Sequence, residues 1–376
     1  MSVHSFATRA ALVLFNAGAV REGCGDVTAA QALYRRVIAG GPLADLAHNQ
    51  LGVIALERGH QAQAVAHFRD AVAANHVTKA ARNNLATTLR DRYASTPDDA
   101  VFRAAELQAQ SVLGLDSDNR RAFENLARIY YDRGRHGDKA YLLLSDLVVS
   151  QGLAVIERTG EGMADLLVIR GLILVERDDV ARALRAFNQA VAADADHGDA
   201  HMNLALIALR QRNFEHARDS LTVAASSPRH ASNIETYLGL GVAYRGLRDF
   251  SRAQEAFERA QGLDGKDPRP AYNLGILYSE HVGPAAAAFD RRLSAQALQY
   301  FKVFVHKASP YPRYARHVRD ANFRIRMIDE LLVAVTQGEA IAREVAALEE
   351  RAHEQREHER TRLLEIEARA QAAVQP

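Results

Sequence analysis

Tryptophan is missing from this chain, and cysteine occurs once, at Cys24. A single thiol rules out an internal disulfide framework and a cysteine-built metal cluster. Neither sign of charge is in excess: 47 Lys and Arg stand against 46 Asp and Glu, a formal net charge of +1. That balance provides no long-range field for nucleic acid or anionic lipid, so no nucleic-acid partner is expected. Lysine is confined to Lys79, Lys139, Lys266, Lys302 and Lys307, and arginine carries the rest of the positive charge. A GC-rich coding sequence accounts for that bias. No apolar run approaches the length of a membrane span, so direct membrane insertion is not expected. Ala10–Phe15, preceded by Arg9, imitates a weak signal segment, but Asn16 and Gly18 interrupt it and it reads as a first repeat helix. The chain as given points to the cytoplasm; the periplasm or cell envelope is the alternative if an export signal has been removed.

What is present is order and repetition. With 25% charged and 48% hydrophobic residues, 376 residues predict an ordered, soluble protein divided into domains or repeats rather than built on one core. Between Asn16 and Lys307 a pattern returns about every 34 residues. Its first half reads Asn49-Gln50-Leu51-Gly52, Asn83-Asn84-Leu85-Ala86, Asn125-Leu126-Ala127, Asn203-Leu204-Ala205 and Asn273-Leu274-Gly275. Its second half places Ala, an aromatic or Leu four later, and Ala three beyond that: Ala64/Phe68/Ala71, Ala183/Phe187/Ala190, Ala217/Leu221/Ala224 and Ala253/Phe257/Ala260. Gly40-Gly41-Pro42, Ser226-Ser227-Pro228 and Gly265-Lys266-Asp267-Pro268 punctuate the units.

These residues resemble the tetratricopeptide repeat, a helix–turn–helix of 34 residues with small residues near positions 8, 20 and 27 and an aromatic near 24. Repeats begin near Ala11, Asp45, Lys79, Arg120, Ala164, Gly198, Ile234 and Pro268, so the resemblance covers roughly residues 11–308. It implies an all-α, right-handed α-solenoid of about eight units. The expected organisation is a solenoid over 1–308, a capping helix over 309–336 and a charged helical tail over 337–376.

Three places depart from the spacing. About seven extra residues lie around Tyr93–Asp99, where a loop at Thr96–Asp99 is expected to lead into a helix with Pro97 at its first position. A long second helix runs from Tyr141 to about Arg158 and ends at Gly160-Glu161-Gly162. About ten extra residues lie at His281–Arg291. Beyond Pro312 one helix is expected from Tyr314 to Val335, with Ala321, Ile325, Ile328, Leu331 and Leu332 toward the stack. Thr336-Gln337-Gly338 is expected to break it, and a second helix follows from Glu339 to about Ala373, read either as solvated tail or as a partner helix.

In the family it resembles, position 6 of the first helix faces the hollow of the superhelix. Here it reads Asn16, Gln50, Asn84, Asn125, Ile169, Asn203, Gly239 and Asn273. A side-chain amide offers both donors and an acceptor and pairs with an extended peptide backbone whatever its side chains. Asn16, Gln50, Asn84, Asn125, Asn203 and Asn273 are therefore candidate peptide-groove residues, similar to the asparagine ladder of some peptide-binding superhelices. The alternative is that these amides bond the neighbouring repeat or water. Position 13 adds Glu57, Asp91, Asp132, Glu176 and Glu280, which favour ligands with Arg or Lys, diluted by Arg90, Arg128, Arg210 and Arg245. A related subset clamps C-terminal carboxylates with Lys, but Asn49 and Asn83 stand where a Lys would be.

Catalytic constellations are poor, and no enzyme, cofactor or metal is expected. His353-Glu354 and His358 place histidines five apart, on different helix faces, where zinc needs four. Gly160-Glu161-Gly162 has no preceding strand, and Cys24 has no base beside it in sequence. The reading is a protein–protein interaction scaffold that binds a protein or peptide partner in its groove, with membership of a large complex a further possibility. Two alternatives stand. One is a structural subunit: Tyr141–Leu144 with Gln151-Gly152-Leu153, Arg245-Gly246-Leu247-Arg248 and Asn273–His281 resemble tetratricopeptide proteins of myxobacterial gliding motility, which implies a cell-envelope assembly. The other is a regulatory partner that delivers substrates to an enzyme.

Overall fold

The computed structural model describes residues 3–159, 163–282 and 290–373, with side chains over 7–157, 163–279 and 290–362. Among these residues the chain is all-α. The helices are α1 (Val3–Gly23), α2 (Val27–Gly40), α3 (Ala44–Glu57), α4 (Gln61–Ala74), α5 (Lys79–Ser95), α6 (Asp99–Leu115), α7 (Arg120–Arg135), α8 (Ala140–Thr159), α9 (Ala164–Glu176), α10 (Val180–Ala193) and α11 (Gly198–Arg210). They continue as α12 (Phe214–Ser226), α13 (Ile234–Gly246), α14 (Phe250–Leu263), α15 (Arg269–Val282), α16 (Arg291–Ala308) and α17 (Ala315–Ala373). The chain divides into two compact units, Met1–Ile207 and Ala208–Pro376.

Each unit is a run of antiparallel hairpins stacked in chain order. In the first, α1 packs on α2, α3 on α4, α5 on α6, α7 on α8 and α9 on α10; in the second, α13 packs on α14 and α15 on α16. A small residue on the first helix lets the aromatic of the second close onto its backbone. A Cβ added to Gly171 would lie 2.4 Å from Phe187 Cε1, and one added to Gly241 would lie 2.3 Å from Phe257 Cε1. Not even an alanine methyl fits at those distances, which is why glycine stands at both positions. Phe68, Phe187, Phe257 and Phe301 are fully buried as a result.

The turn within each hairpin has its own local chemistry. Gly25 and Gly59 take positive φ, and so do Asp178, Arg212 and Arg248, where a side chain carries a cost of roughly 1–2 kcal/mol. The next residue is often an Asp or Asn that caps the second helix. Asp26 accepts from the Ala29 N–H at 3.1 Å, Asp179 from Arg182 at 3.0 Å and Asp249 from Arg252 at 3.2 Å. Such caps satisfy donors that the helix start leaves orphaned.

Several details differ from expectation. The extra residues around Tyr93–Asp99 mostly lengthen α5 and α6, and Asp98, not Pro97, opens α6 by accepting from the Val101 N–H at 2.9 Å. Tyr93 is buried against Phe102, so added helix is rewarded by added core. Helix α8 passes the length and composition test for a membrane span over Ala140–Glu157, where no such run was expected; 44% of that window is buried because α8 packs on α7 and α9. Gly160-Glu161-Gly162 and residues 283–289 of the His281–Arg291 segment lie outside the described residues. Helix α17 runs unbroken through Thr336-Gln337-Gly338. A glycine inside a helix costs only about 1 kcal/mol. Arg291 offsets it by bonding Thr336 Oγ1 at 3.3 Å and Glu339 Oε2 at 3.0 Å, one on each side of Gly338. Ala321 is buried and Ile325 and Ile328 pack on the second unit's core, but Leu331 is exposed.

Phe187→Ala is expected to destabilise the first unit by about 3–5 kcal/mol. Because the stack is held by neighbours, hydrogen exchange should rise in α9, α10 and the adjoining helices while α1–α4 keep their protection.

Candidate polar face of the first unit

In the first unit the odd-numbered helices touch one another in series, α3 to α5, α5 to α7 and α7 to α9; consecutive even-numbered helices make no comparable contact among the described residues. Closer approach on one side makes that side the inner one, so α3, α5, α7 and α9 share a face. The amides of positions 5 and 6 bond across it. Asn84 Nδ2 donates to Asn49 Oδ1 at 2.9 Å, and Asn84 Oδ1 accepts from Arg121 Nη2 at 3.3 Å. Asn125 Nδ2 donates to the Asn83 carbonyl at 3.2 Å, and Asn125 Oδ1 accepts from Thr87 Oγ1 at 2.9 Å.

The six candidate amides fall into different settings. Asn125 is only 6% exposed and lies in the seam between α5 and α7, engaged by α5. Gln50 and Asn84 are half-buried, with Gln50 accepting from Asn49 at 3.2 Å. Asn16 is exposed on α1. Asn203 bonds the Asp199 carbonyl of its own helix at 2.7 Å. Asn273, in the second unit, does the same to Arg269 at 3.0 Å while accepting from Arg245 at 3.4 Å. Ile169, at the same register on α9, is fully buried.

The acidic candidates divide likewise. Glu57 and Asp91 are exposed, and Asp91 pairs with its neighbour Arg90. Asp132 lies 4.0 Å from Arg90 Nε; burial pushes its carboxyl up, opposed by Arg90 and Arg128. Glu176 is held by Arg135 at 3.3 Å and Lys139 at 3.4 Å. The side chain of Glu280 lies outside the described residues.

Sequence reasoning missed the densest part of this face. Glu124 and Arg128 sit one turn apart on α7. Arg128 lies 3.6 Å from both Asp165 at the start of α9 and Asp199 at the start of α11, and His197 Nε2 lies 3.5 Å from Asp165. The Glu124 side chain is 15% exposed, and Oε1 has no hydrogen-bond partner although Arg120 Nε is 3.2 Å away as an ion pair. Burial, reinforced by the Asp165 charge, pushes the Glu124 carboxyl up to about 7. Hydrogen bonding to His197, with help from Arg128, holds Asp165 below the usual range despite burial, and His197 is raised in return. The i,i+4 spacing of Glu124 and Arg128 was visible; their meeting with α9 and α11 was not.

Because the folded state binds the Glu124 proton more tightly than the unfolded chain does, its contribution to stability declines as pH rises from about 4.5 to about 7. Glu124→Gln should therefore move the urea midpoint up at pH 8, leave it nearly unchanged at pH 4.5, and flatten the slope between.

Two tetratricopeptide repeat family models match the chain, at residues 170–231 and 234–267. A third model, described as an Est1 DNA/RNA binding domain, matches residues 44–110. No curated protein matches. Among solved structures, the chain is similar to a thermophilic tetratricopeptide protein from Thermus thermophilus, at 18% identity and a TM-score of 0.45, covering 54% of this chain and 99% of that one. It is also similar to Pseudomonas aeruginosa pilF, at 18% identity and TM-score 0.44, covering 60% and 95%. A third similarity is to YrrB, described as having an unusual peptide-binding site, at 16% identity and TM-score 0.34, covering 54% and 95%.

Proposed function

This chain belongs to the tetratricopeptide repeat superfamily, whose fold supports protein–protein interaction scaffolds, and on that premise we propose that it binds an extended segment of a partner protein along α3, α5, α7 and α9. The observation that carries the reading is the Asn49–Asn84–Arg121 chain of side chains, which spans three successive repeats on the shared face. Its members are held in place before any ligand arrives, so less conformational freedom is lost on binding. Half-buried Gln50 and Asn84 would meet the ligand backbone, and the exposed Glu57 and Asp91 would favour basic side chains at its edge. Asn125 serves the stack instead.

The nucleic-acid reading attached to residues 44–110 is weaker on charge. That segment holds seven Arg or Lys and seven Asp or Glu, which leaves no net positive field for phosphate.

A display library of disordered protein segments, followed by anisotropy titration of the selected peptides, tests the proposal. Gln50→Ala and Asn84→Ala should each weaken binding by about two- to ten-fold, the worth of one hydrogen bond, with Gln50→Ala leaving the melting curve unchanged and Asn84→Ala lowering it less than Asn125→Ala does. Asn125→Ala should lower the melting temperature. Peptides indifferent to both groove substitutions, or selective binding of an RNA oligomer in their place, would overturn it.

A further inference from the structure

The second hairpin brings together side chains that the interaction reading leaves unused. His48 on α3 and His67 on α4 point their Nδ1 atoms at each other, 3.3 Å apart. Asp70, one turn after His67, places Oδ2 3.8 Å from His48 Nδ1. The three donor atoms all lie within 4.8 Å of one another. The two rings are half-buried and tilted by 43°, whereas the Asp70 side chain is 58% exposed.

We propose that His48, His67 and Asp70 form a binding site for a divalent transition metal of the zinc class, with water completing four-coordination on the open side. Zinc bonds imidazole nitrogen at about 2.0–2.1 Å, so two nitrogens on a tetrahedral ion stand about 3.3–3.4 Å apart. The observed 3.3 Å separation matches that edge, and a small rotation of the rings would turn both lone pairs toward a shared ion. Asp70 has to swing inward to reach the third corner, since its Oδ2 is 3.8 Å from His48 Nδ1 and the donor atoms spread over as much as 4.8 Å; its exposure leaves room to do so. Two imidazoles and one carboxylate are ligands suited to zinc and its neighbours, not to calcium or magnesium. Asp70 supplies the anion that offsets the ion's charge, while Arg35 on α2 is a nearby cation that opposes it. The competing account of the short contact is a hydrogen bond between two neutral rings. It needs no third donor, yet the Asp70 carboxylate lies 3.8 Å from the same His48 nitrogen.

Because the ligands come from both helices of one hairpin, the ion would clip α3 to α4 and raise the stability of that hairpin by mass action. The histidine spacing of 19 residues hides the site from motif reading, since it depends on the antiparallel return of α4.

The test is titration of the metal-stripped full chain with cobalt(II), followed by zinc competition. The expected result is one cobalt per chain with the visible absorption of a four-coordinate ion, displaced by equimolar zinc, and a higher melting temperature with zinc present. His48→Gln and His67→Gln should abolish the spectrum. Asp70→Asn should weaken binding by at least the roughly ten-fold that losing an outer-shell partner costs elsewhere. Replacing His353 and His358 in the tail should change nothing. A wild-type chain that gives no four-coordinate spectrum, or a spectrum that survives His67→Gln, overturns the proposal whatever the folding state of the variants.

Discussion

The close approach of an aromatic ring to a residue without a large side chain is the contact on which the hairpins depend. Where Phe187 meets Gly171 and Phe257 meets Gly241, no room exists for even a methyl group. The ring buries its whole surface and the two helices reach near-contact, so one small position and one large position together set the hairpin geometry. The alanines flanking each ring, such as Ala183 and Ala190, are fully buried for the same reason. Stacking then repeats the solution, and each unit acquires a core that grows along the chain rather than around a centre.

A consequence of that packing is a polar inner face that is partly structural. Helices α5 and α7 approach closely enough for Asn83, Thr87 and Asn125 to bond one another, which ties repeat to repeat with directional contacts. One residue away, Asn84 stays half-exposed and links Asn49 to Arg121. The same amide chemistry thus has two uses on one surface, and a shift of one helical position decides which. The charged cluster of Glu124, Arg128, Asp165, His197 and Asp199 extends this face across α7, α9 and the start of α11. Its buried carboxylate is costly to ionise, so it ties stability to pH near neutrality.

The scaffold reading and the metal site make different demands on the same architecture. A groove for an extended segment uses the face along successive odd-numbered helices, whereas the His48–His67–Asp70 cluster uses the interior angle of a single hairpin. Binding at one does not require the other, and their tests read different quantities.

Helix, turn and repeat were all legible in the residues, because small and aromatic positions recur at a fixed spacing and packing allows few alternatives at those positions. The hairpins and the burial of Phe68, Phe187 and Phe257 follow from that local chemistry, whereas the caps at Asp26, Asp179 and Asp249 were seen only in the structure. The continuity of α17 past Gly338 was not legible, since the Arg291 contacts that flank the glycine reach over from α16. Nor was the different fate of Asn84 and Asn125, because composition cannot tell which side of a seam an amide falls on. The meeting of His48 with His67, and of Arg128 with Asp165 and Asp199, likewise came only with tertiary structure: their separation along the chain is closed by the antiparallel return of one helix and the stacking of the next, and distance in space is what their chemistry answers to.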